Sequence, residues 1–113
     1  LKKYDLEVVT ARHSDYEVNT WKWLQAKLPN RFKAMKMIGY SLIQHERITK
    51  AQVCVDVGAV ALIDDGIDNI LPCPEFGIEG VLFGNYPWNR HDDLPSGVVR
   101  CINWQKVLEH FGV

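Results

Sequence analysis

Short apolar runs alternate along the chain with segments whose apolar residues recur at helical spacing. This alternation is typical of an α/β domain built on a parallel sheet. Because domains typically run to about 100 to 200 residues, we expect a single α/β core over residues 1–113. The apolar runs predict five strands, which are Leu6–Ala11, Met35–Gly39, Ala59–Ile63, Val81–Phe83 and Val98–Ile102.

Helix start signals lie between these runs. Ser14 and Glu17 have the spacing of a capping box, which predicts the start of a helix. Thr49–Gln52 repeats that spacing and places Lys50 in the first turn of a short helix, and Asn103 can cap a terminal helix. The first helix has apolar residues on one face, which we expect to pack in the core. They are Val18, Trp21, Leu24 and Leu28.

Charge and composition narrow the classes of partner. The 13 Lys and Arg residues against 14 Asp and Glu give a formal net charge of −1, so the basic excess of a nucleic-acid-binding protein is missing. No apolar run approaches the roughly 18 residues of a membrane span, and Leu1–Asp5 lacks the features of a secretory signal. We therefore expect a cytoplasmic protein with no membrane or nucleic-acid partner.

The cysteines and histidines carry no metal-site pattern. The three cysteines have no C-x-x-C spacing and are expected to be reduced, buried thiols. The four histidines include no pair at metal-ligand spacing, so a histidine-based zinc or catalytic site is not predicted.

Polar residues follow the predicted strands at positions where ligands gather in parallel α/β sheets. Thr10 lies at the carboxyl end of the first strand, and Asp64 and Asp65 follow the third. Lys50 lies at a helix N-terminus, where a cation is unfavourable unless an anion is held there. A hydroxyl and an ammonium group suit phosphate, and carboxylates suit Mg²⁺. Together these four residues predict a site for a phosphorylated small molecule and a divalent metal.

Each of these residues also has a purely structural interpretation. Thr10 is β-branched and suits a strand, Lys50 suits a solvated surface, and Asp64–Gly66 suits a turn with a helix cap. The segment Trp88–Arg90 has two interpretations as well, because it suits either a binding loop or a Pro-aromatic loop packed on the sheet.

The ordered segments Val8–Arg12, Thr49–Cys54 and Ala61–Asp65, followed by Val81–Arg90, resemble motifs two, three and four of the haloacid dehalogenase (HAD) superfamily of phosphohydrolases. The resemblance covers nearly the whole chain. It implies a Rossmann-like three-layer sandwich with a mainly parallel sheet.

The same resemblance assigns roles to the four candidate residues. It implies that Thr10 and Lys50 bind phosphate and that Asp64 and Asp65 bind Mg²⁺. A receiver domain of two-component signalling uses similar groups, but its acids come first in the chain, whereas here they come last.

The chain departs from the HAD pattern at its nucleophile. Such enzymes use an Asp-x-Asp pair after the first strand, and this sequence contains no Asp-x-Asp. The corresponding strand would precede Leu1, so the chain resembles the C-terminal part of a HAD core that is incomplete at its N-terminal strand. No catalytic residue is assigned. Pro72 and Pro74, where relatives usually have a helix, and Arg12–His13 after Thr10 are further departures.

The missing strand would lie between the strands that end at Thr10 and at Ile63, and its absence would leave unpaired edges. We expect self-association as a homo-oligomer, strand exchange with a partner, or direct pairing of those two strands. The missing nucleophile and the unpaired strand edges together leave two candidate functions. The chain is a HAD-like phosphohydrolase fragment or homologue that is inactive alone, or it is a non-catalytic interaction protein on the same scaffold.

Overall fold

The computed structural model of the chain describes residues 4–10, 17–29, 32–37, 49–91 and 93–112. Contacts between residues divide the chain into two compact units, Leu1–Lys50 and Ala51–Val113. Each unit has its own sheet, and all of the strand pairs in both sheets are parallel. The α/β class and the parallel pairing are therefore confirmed, while the single core over residues 1–113 stays a prediction.

The first unit contains a parallel pair of strands. Strand β1 spans Glu7–Thr10 and strand β2 spans Ala34–Met37, with Glu7 opposite Ala34 and Thr10 opposite Met37. The Lys33 N–H donates a hydrogen bond of 2.7 Å to the Leu6 carbonyl at the entrance to this pair. Strand β1 lies within the predicted run Leu6–Ala11, and β2 overlaps the predicted run Met35–Gly39, of which residues 38 and 39 lie outside the described part. The capping residue Ser14 lies outside the described residues.

Helix α1 spans Glu17–Lys27. Leu24 is buried, but Val18 is 63% exposed and Leu28, just after the helix, is 46% exposed. The prediction that the whole apolar face packs in the core is therefore wrong for these two residues. Helical spacing identifies residues that share a face, but it does not determine how much of that face the neighbouring elements cover.

The second unit contains the larger sheet, a parallel sheet with strand order β3-β4-β5. Helix α2 begins at Lys50, as predicted, and leads into this unit. The strands are β3 (Ala61–Asp64), β4 (Glu79–Phe83) and β5 (Val98–Cys101), and the helices are α2 (Lys50–Asp56), α3 (Ile67–Ile70) and α4 (Trp104–Phe111).

Helices pack against both faces of this sheet. Leu62 and Leu82 belong to a buried cluster that also contains residues of α2 and α3. Val81, one residue before Leu82 and so on the opposite face, packs in a second cluster with Val107 of α4. The first face comes very close to α3, because a Cβ on Gly80 would lie 2.8 Å from Cγ2 of Ile70. Only glycine permits this approach without displacing the helix.

The sequence analysis assigned no helix or strand to the segment around Pro72 and Pro74, but this segment is helical in two places. It contains the short helix α3 and a 3₁₀ helix, Cys73–Phe76, with Pro74 in its first turn. A proline is compatible with a first helical turn because its missing N–H would have no partner there. Two helical pieces of four residues each are too short to show a hydrophobic period, so the pattern did not reveal them.

Several smaller expectations are confirmed. All three cysteines are buried thiols outside any disulfide. Asn103 caps α4, since its Oδ1 accepts a hydrogen bond of 2.9 Å from the Lys106 N–H. Within the described part of the chain, every helix is too short or too polar to cross a lipid bilayer.

Among the described residues, four strands have one hydrogen-bonded neighbour each, and β1 and β3 are two of them. Strand β1 pairs with β2 alone, and β3 pairs with β4 alone. Direct pairing of the strands that end at Thr10 and Ile63, one of the three expected outcomes, stays a prediction. Within each sheet, the described residues supply no second hydrogen-bonded strand to β1 or to β3.

Candidate functional site

The candidate site is centred on the carboxyl end of β3. Asp64 is the last residue of that strand, whereas the sequence predicted a strand that ends at Ile63. Its Oδ1 accepts a hydrogen bond of 2.8 Å from the Gly66 N–H and one of 3.4 Å from Nδ2 of Asn69. These bonds close a turn of the Asx type before α3. The side chain does not cap the helix, whose N-cap position is held by Gly66.

Asp65 is exposed, and its backbone is tied to the neighbouring strand's loop. Its carbonyl oxygen accepts a hydrogen bond of 3.0 Å from Nδ2 of Asn89. We name the segment Asp64–Gly66 the β3 turn. The Asp64 carboxylate is therefore held by nearby donors in the sequence, and the Asp65 backbone is held by Asn89 of the loop after β4.

Asn89 is the fully buried centre of this region, with an exposed fraction of 0%. Besides Asp65, its Nδ2 donates to the Phe83 carbonyl at 2.9 Å. Its Oδ1 accepts from the Tyr86 N–H at 2.9 Å and from Nη1 of Arg100 at 3.2 Å. One amide side chain therefore joins the β3 turn, the end of β4, the following loop and β5.

Arg100 completes the network from β5. Its Nη1 donates to the Gly84 carbonyl at 2.6 Å, and its Nη2 donates to the Asn89 carbonyl at 2.8 Å. The planar guanidinium presents several donors in a fixed arrangement, so it can hold two backbone carbonyls and a side-chain oxygen together. The loop after β4 is thereby fixed to the sheet.

The loop after β4, Gly84–Arg90, also holds two aromatic rings. Tyr86 and Trp88 stack with ring centroids 4.5 Å apart and an interplanar angle of 6°. Trp88 is 61% exposed, and Arg90 is exposed as well, whereas Asn89 between them is buried. The segment Trp88–Arg90 thus combines a buried anchor, Asn89, with two exposed side chains, and both of its predicted roles stay predictions.

A buried thiol lies behind the β3 turn. Burial, the Cys54 thiol and the Asp64 carboxylate together raise the pKa of Cys73 to about 11, with burial as the largest cause. Its Sγ donates to the Asn69 carbonyl at 3.5 Å. A thiol with a raised pKa stays protonated at neutral pH and is a poor nucleophile, so Cys73 is a packing residue.

The other two predicted site residues lie at the positions expected from the sequence. Thr10 is the last residue of β1, and Lys50 is the first residue of α2, whose first turn contains no acidic residue. Both are half-buried. That Thr10 and Lys50 form one pocket with Asp64 and Asp65 stays a prediction.

The chemistry of the β3 turn fits a magnesium ion in part. Mg²⁺ is commonly held by one or two carboxylates, with phosphate oxygens and waters as its remaining ligands. Asp64 and Asp65 supply two carboxylates. In the described ranges, no group of three or more His, Cys, Asp or Glu side chains is placed to hold a metal ion.

Sequence reasoning missed the Asn89–Arg100 network. The one available signal was Arg100 itself, a cation within the apolar run Val98–Ile102, because a charged residue inside a strand usually requires a polar partner. Its partners lie 11 and 16 residues away, and no local spacing rule connects them.

No family model matches the chain, and comparison with curated proteins and with solved structures finds no match either.

Proposed function

We propose that this chain is the Mg²⁺- and phosphate-binding part of a HAD-like phosphohydrolase, built on a Rossmann-like three-layer sandwich, and that it is inactive alone. The observation that carries the proposal is the buttressed β3 turn. Two adjacent aspartates lie at the carboxyl end of a parallel strand, which is the end where ligands gather in such sheets.

The buttressing supports a binding role. A metal site needs ligands held in place before the ion arrives, and the partners of those ligands contribute much of its affinity. The Gly66 N–H and Asn69 hold the Asp64 carboxylate, while the buried Asn89 holds the Asp65 backbone. A bound Mg²⁺ would neutralise charge on a phosphate group at this turn.

The phosphate end of the ligand would be held by Thr10 and Lys50. Thr10 offers a hydroxyl donor at the end of β1, and Lys50 offers a cation in the first turn of α2. Because the sequence contains no Asp-x-Asp, the chain has no candidate for the attacking carboxylate of this superfamily. We therefore expect binding without turnover.

Magnesium binding is tested by titrating the full chain with MgCl₂, with and without inorganic phosphate, and following the backbone amides by NMR. We expect shifts centred on Asp64 to Asn69 that saturate with Mg²⁺. Asp65→Asn and Asp64→Asn should each weaken binding at least about 10-fold, because each removes one charged ligand while keeping an oxygen acceptor. Asp93→Asn, an exposed loop residue, is the matched control.

The same titration examines the phosphate residues. Lys50→Gln and Thr10→Val should reduce the response to phosphate and leave the response to Mg²⁺ alone unchanged. Shifts at the β3 turn that persist in both aspartate variants would contradict the proposal. So would hydrolysis of p-nitrophenyl phosphate by the chain alone that disappears in those variants, since it would show a complete active site.

A second candidate function is favoured by the open strand edges. Strands β1 and β3 each have one hydrogen-bonded neighbour among the described residues. An open edge presents unpaired N–H and C=O groups that can pair with another chain. Under this hypothesis the chain is a non-catalytic interaction protein that self-associates, or exchanges a strand with a partner, through these edges.

A further inference from the structure

Trp88 is the exposed member of a stacked pair of rings, Tyr86 and Trp88, in the loop that follows β4. Gly84, with φ of +84°, lies so close to the Tyr86 ring that a Cβ on it would overlap the ring. Trp88 stacks on that ring in nearly parallel orientation and is 61% exposed. The Tyr86 ring therefore packs close to the Gly84 backbone and also stacks with the Trp88 indole.

The stacked pair is held in place by groups that are themselves buried or hydrogen-bonded. Asn89, the residue after Trp88, is fully buried and bonded to the Tyr86 N–H and the Phe83 carbonyl. Arg100 binds the carbonyls of Gly84 and Asn89, which precede and follow the stacked pair in the sequence. An aromatic side chain fixed in advance loses little conformational freedom when it binds a ligand.

The loop that contains the stacked pair is hydrogen-bonded to the β3 turn. The Asn89 amide that anchors the loop donates directly to the Asp65 carbonyl, so Trp88 is one residue away from a residue in contact with the turn. Strands β3 and β4 are adjacent and parallel, and the turn and the loop both follow their carboxyl ends. A ligand whose charged end lies at the turn can therefore extend towards the indole.

We propose that Trp88 is a stacking surface for the planar ring of an aromatic phosphate ester whose phosphate lies at the β3 turn. This inference rests on the proposed function and adds the class of ligand. The two ends have different chemistry. The carboxylates of the turn repel an anionic phosphate unless Mg²⁺ lies between them, whereas ring stacking on Trp88 needs no metal.

The experiment compares two phosphate esters that differ in their organic group. Binding of 1-naphthyl phosphate and of glycerol 3-phosphate to the full chain is measured by calorimetry, with and without Mg²⁺, and 1-naphthol serves as the ring without phosphate. The variants are Trp88→Ala and Asp65→Asn. Trp104→Ala is the matched control, because Trp104, the first residue of α4, is 59% exposed and packs against the Phe83 ring at an interplanar angle of 42°.

We expect Trp88→Ala to weaken naphthyl phosphate binding about 10-fold and to leave glycerol phosphate binding unchanged, as is usual for loss of one stacked ring. Asp65→Asn should remove the Mg²⁺ dependence for both esters, and Trp104→Ala should change neither. Trp88 and Asp65 would contact opposite ends of the ligand. The losses of affinity in Trp88→Ala and Asp65→Asn should therefore add in the variant that carries both substitutions.

Two results separate the failure of this inference from the failure of the proposed function. If both esters bind equally in Mg²⁺ and Trp88→Ala has no effect, the stacking surface is overturned and the magnesium site stands. If naphthyl phosphate and naphthol bind equally, without Mg²⁺ dependence but with dependence on Trp88, the proposed magnesium and phosphate site is overturned and the aromatic surface stands alone. Equal losses in Trp88→Ala and Trp104→Ala would indicate adsorption to any exposed indole and overturn the inference.

Discussion

Asn89 shows how much one buried polar side chain can determine. All of its amide hydrogen-bonding atoms have partners, which come from the β3 turn, the end of β4, the following loop and β5. A buried polar group is tolerated only when it is paired, so these partners depend on Asn89 as much as Asn89 depends on them.

Replacing Asn89 with Ala should lower the free energy of unfolding by about 2 to 4 kcal/mol, because the buried groups it bonds lose their partner. Asn85→Ala is the matched control, since Asn85 is exposed in the same loop, and it should change stability little. Urea unfolding of the three proteins measures the difference. Equal stability of the two variants would contradict the hub role of Asn89.

Cys73 makes a prediction about alkaline pH. Its pKa is raised from 9.0 to about 11 in the folded chain, so the folded state holds the thiol proton more tightly than the unfolded state does. The stability it contributes is fully present below pH 9 and is lost as the pH rises through about 11. The loss should be on the order of 2 kcal/mol.

The measurement is the free energy of unfolding at several pH values from neutral to pH 11, compared between wild type and Cys73→Ala. Other groups titrate over the same range in both proteins, so only the difference between the two curves reports on Cys73. A constant difference across this range would contradict the raised pKa.

At the scale of elements, the loop after β4 is shaped by its glycine. Gly84 has a left-handed backbone, and the Tyr86 ring fills the space that a side chain would need. Its N–H also donates to the Cys101 carbonyl at 2.8 Å, which ties the loop to the end of β5. The loop conformation therefore depends on the absence of one carbon atom.

Gly84→Ala should lower stability by more than Gly112→Ala, which is the matched control. Both glycines have positive φ, and an alanine at either one costs about 1 kcal/mol for the left-handed backbone. Only at Gly84 does the added Cβ also meet a ring, since nothing lies within 4 Å at Gly112. Thermal unfolding compares the two variants, and equal losses would contradict the packing of Tyr86 on Gly84.

At the scale of the whole molecule, the open edge of β3 is the feature with the widest consequence. In a parallel strand, alternate residues bond to opposite neighbours. The Val60 carbonyl accepts from the Glu79 N–H of β4, so Ala61 directs its own N–H and carbonyl to the open side. Pairing of Ala61 on this side would therefore leave the described hydrogen bonds between β3 and β4 intact.

Ala61→Pro tests self-association through this edge. Proline is tolerated at the first position of an edge strand, and it removes one outward N–H while leaving the pairing with β4 intact. We expect wild type to form concentration-dependent oligomers in sedimentation velocity and the variant to shift towards monomer. Circular dichroism should be unchanged in the variant. A monomeric wild type over the whole concentration range would contradict pairing through the edge.

The amino-acid sequence by itself determined the local features of this protein. The five strands, the helix start at Lys50, the Asn103 cap, the buried cysteines and the position of the aspartate pair all follow from short-range patterns. Each depends on residues within a few positions of one another, where backbone geometry and hydrogen-bonding choices are limited.

Only the tertiary structure decided which side chains meet across the sheet. The Asn89–Arg100 network, the support of Asp65 by Asn89 and the exposure of Val18 arise from contacts between elements, whose sequence separation carries no periodic signal. The joining of Thr10 and Lys50 with the β3 turn belongs to the same class and stays a prediction. Spacing along a chain fixes directions within an element, whereas the relative placement of elements depends on the packing of the whole fold.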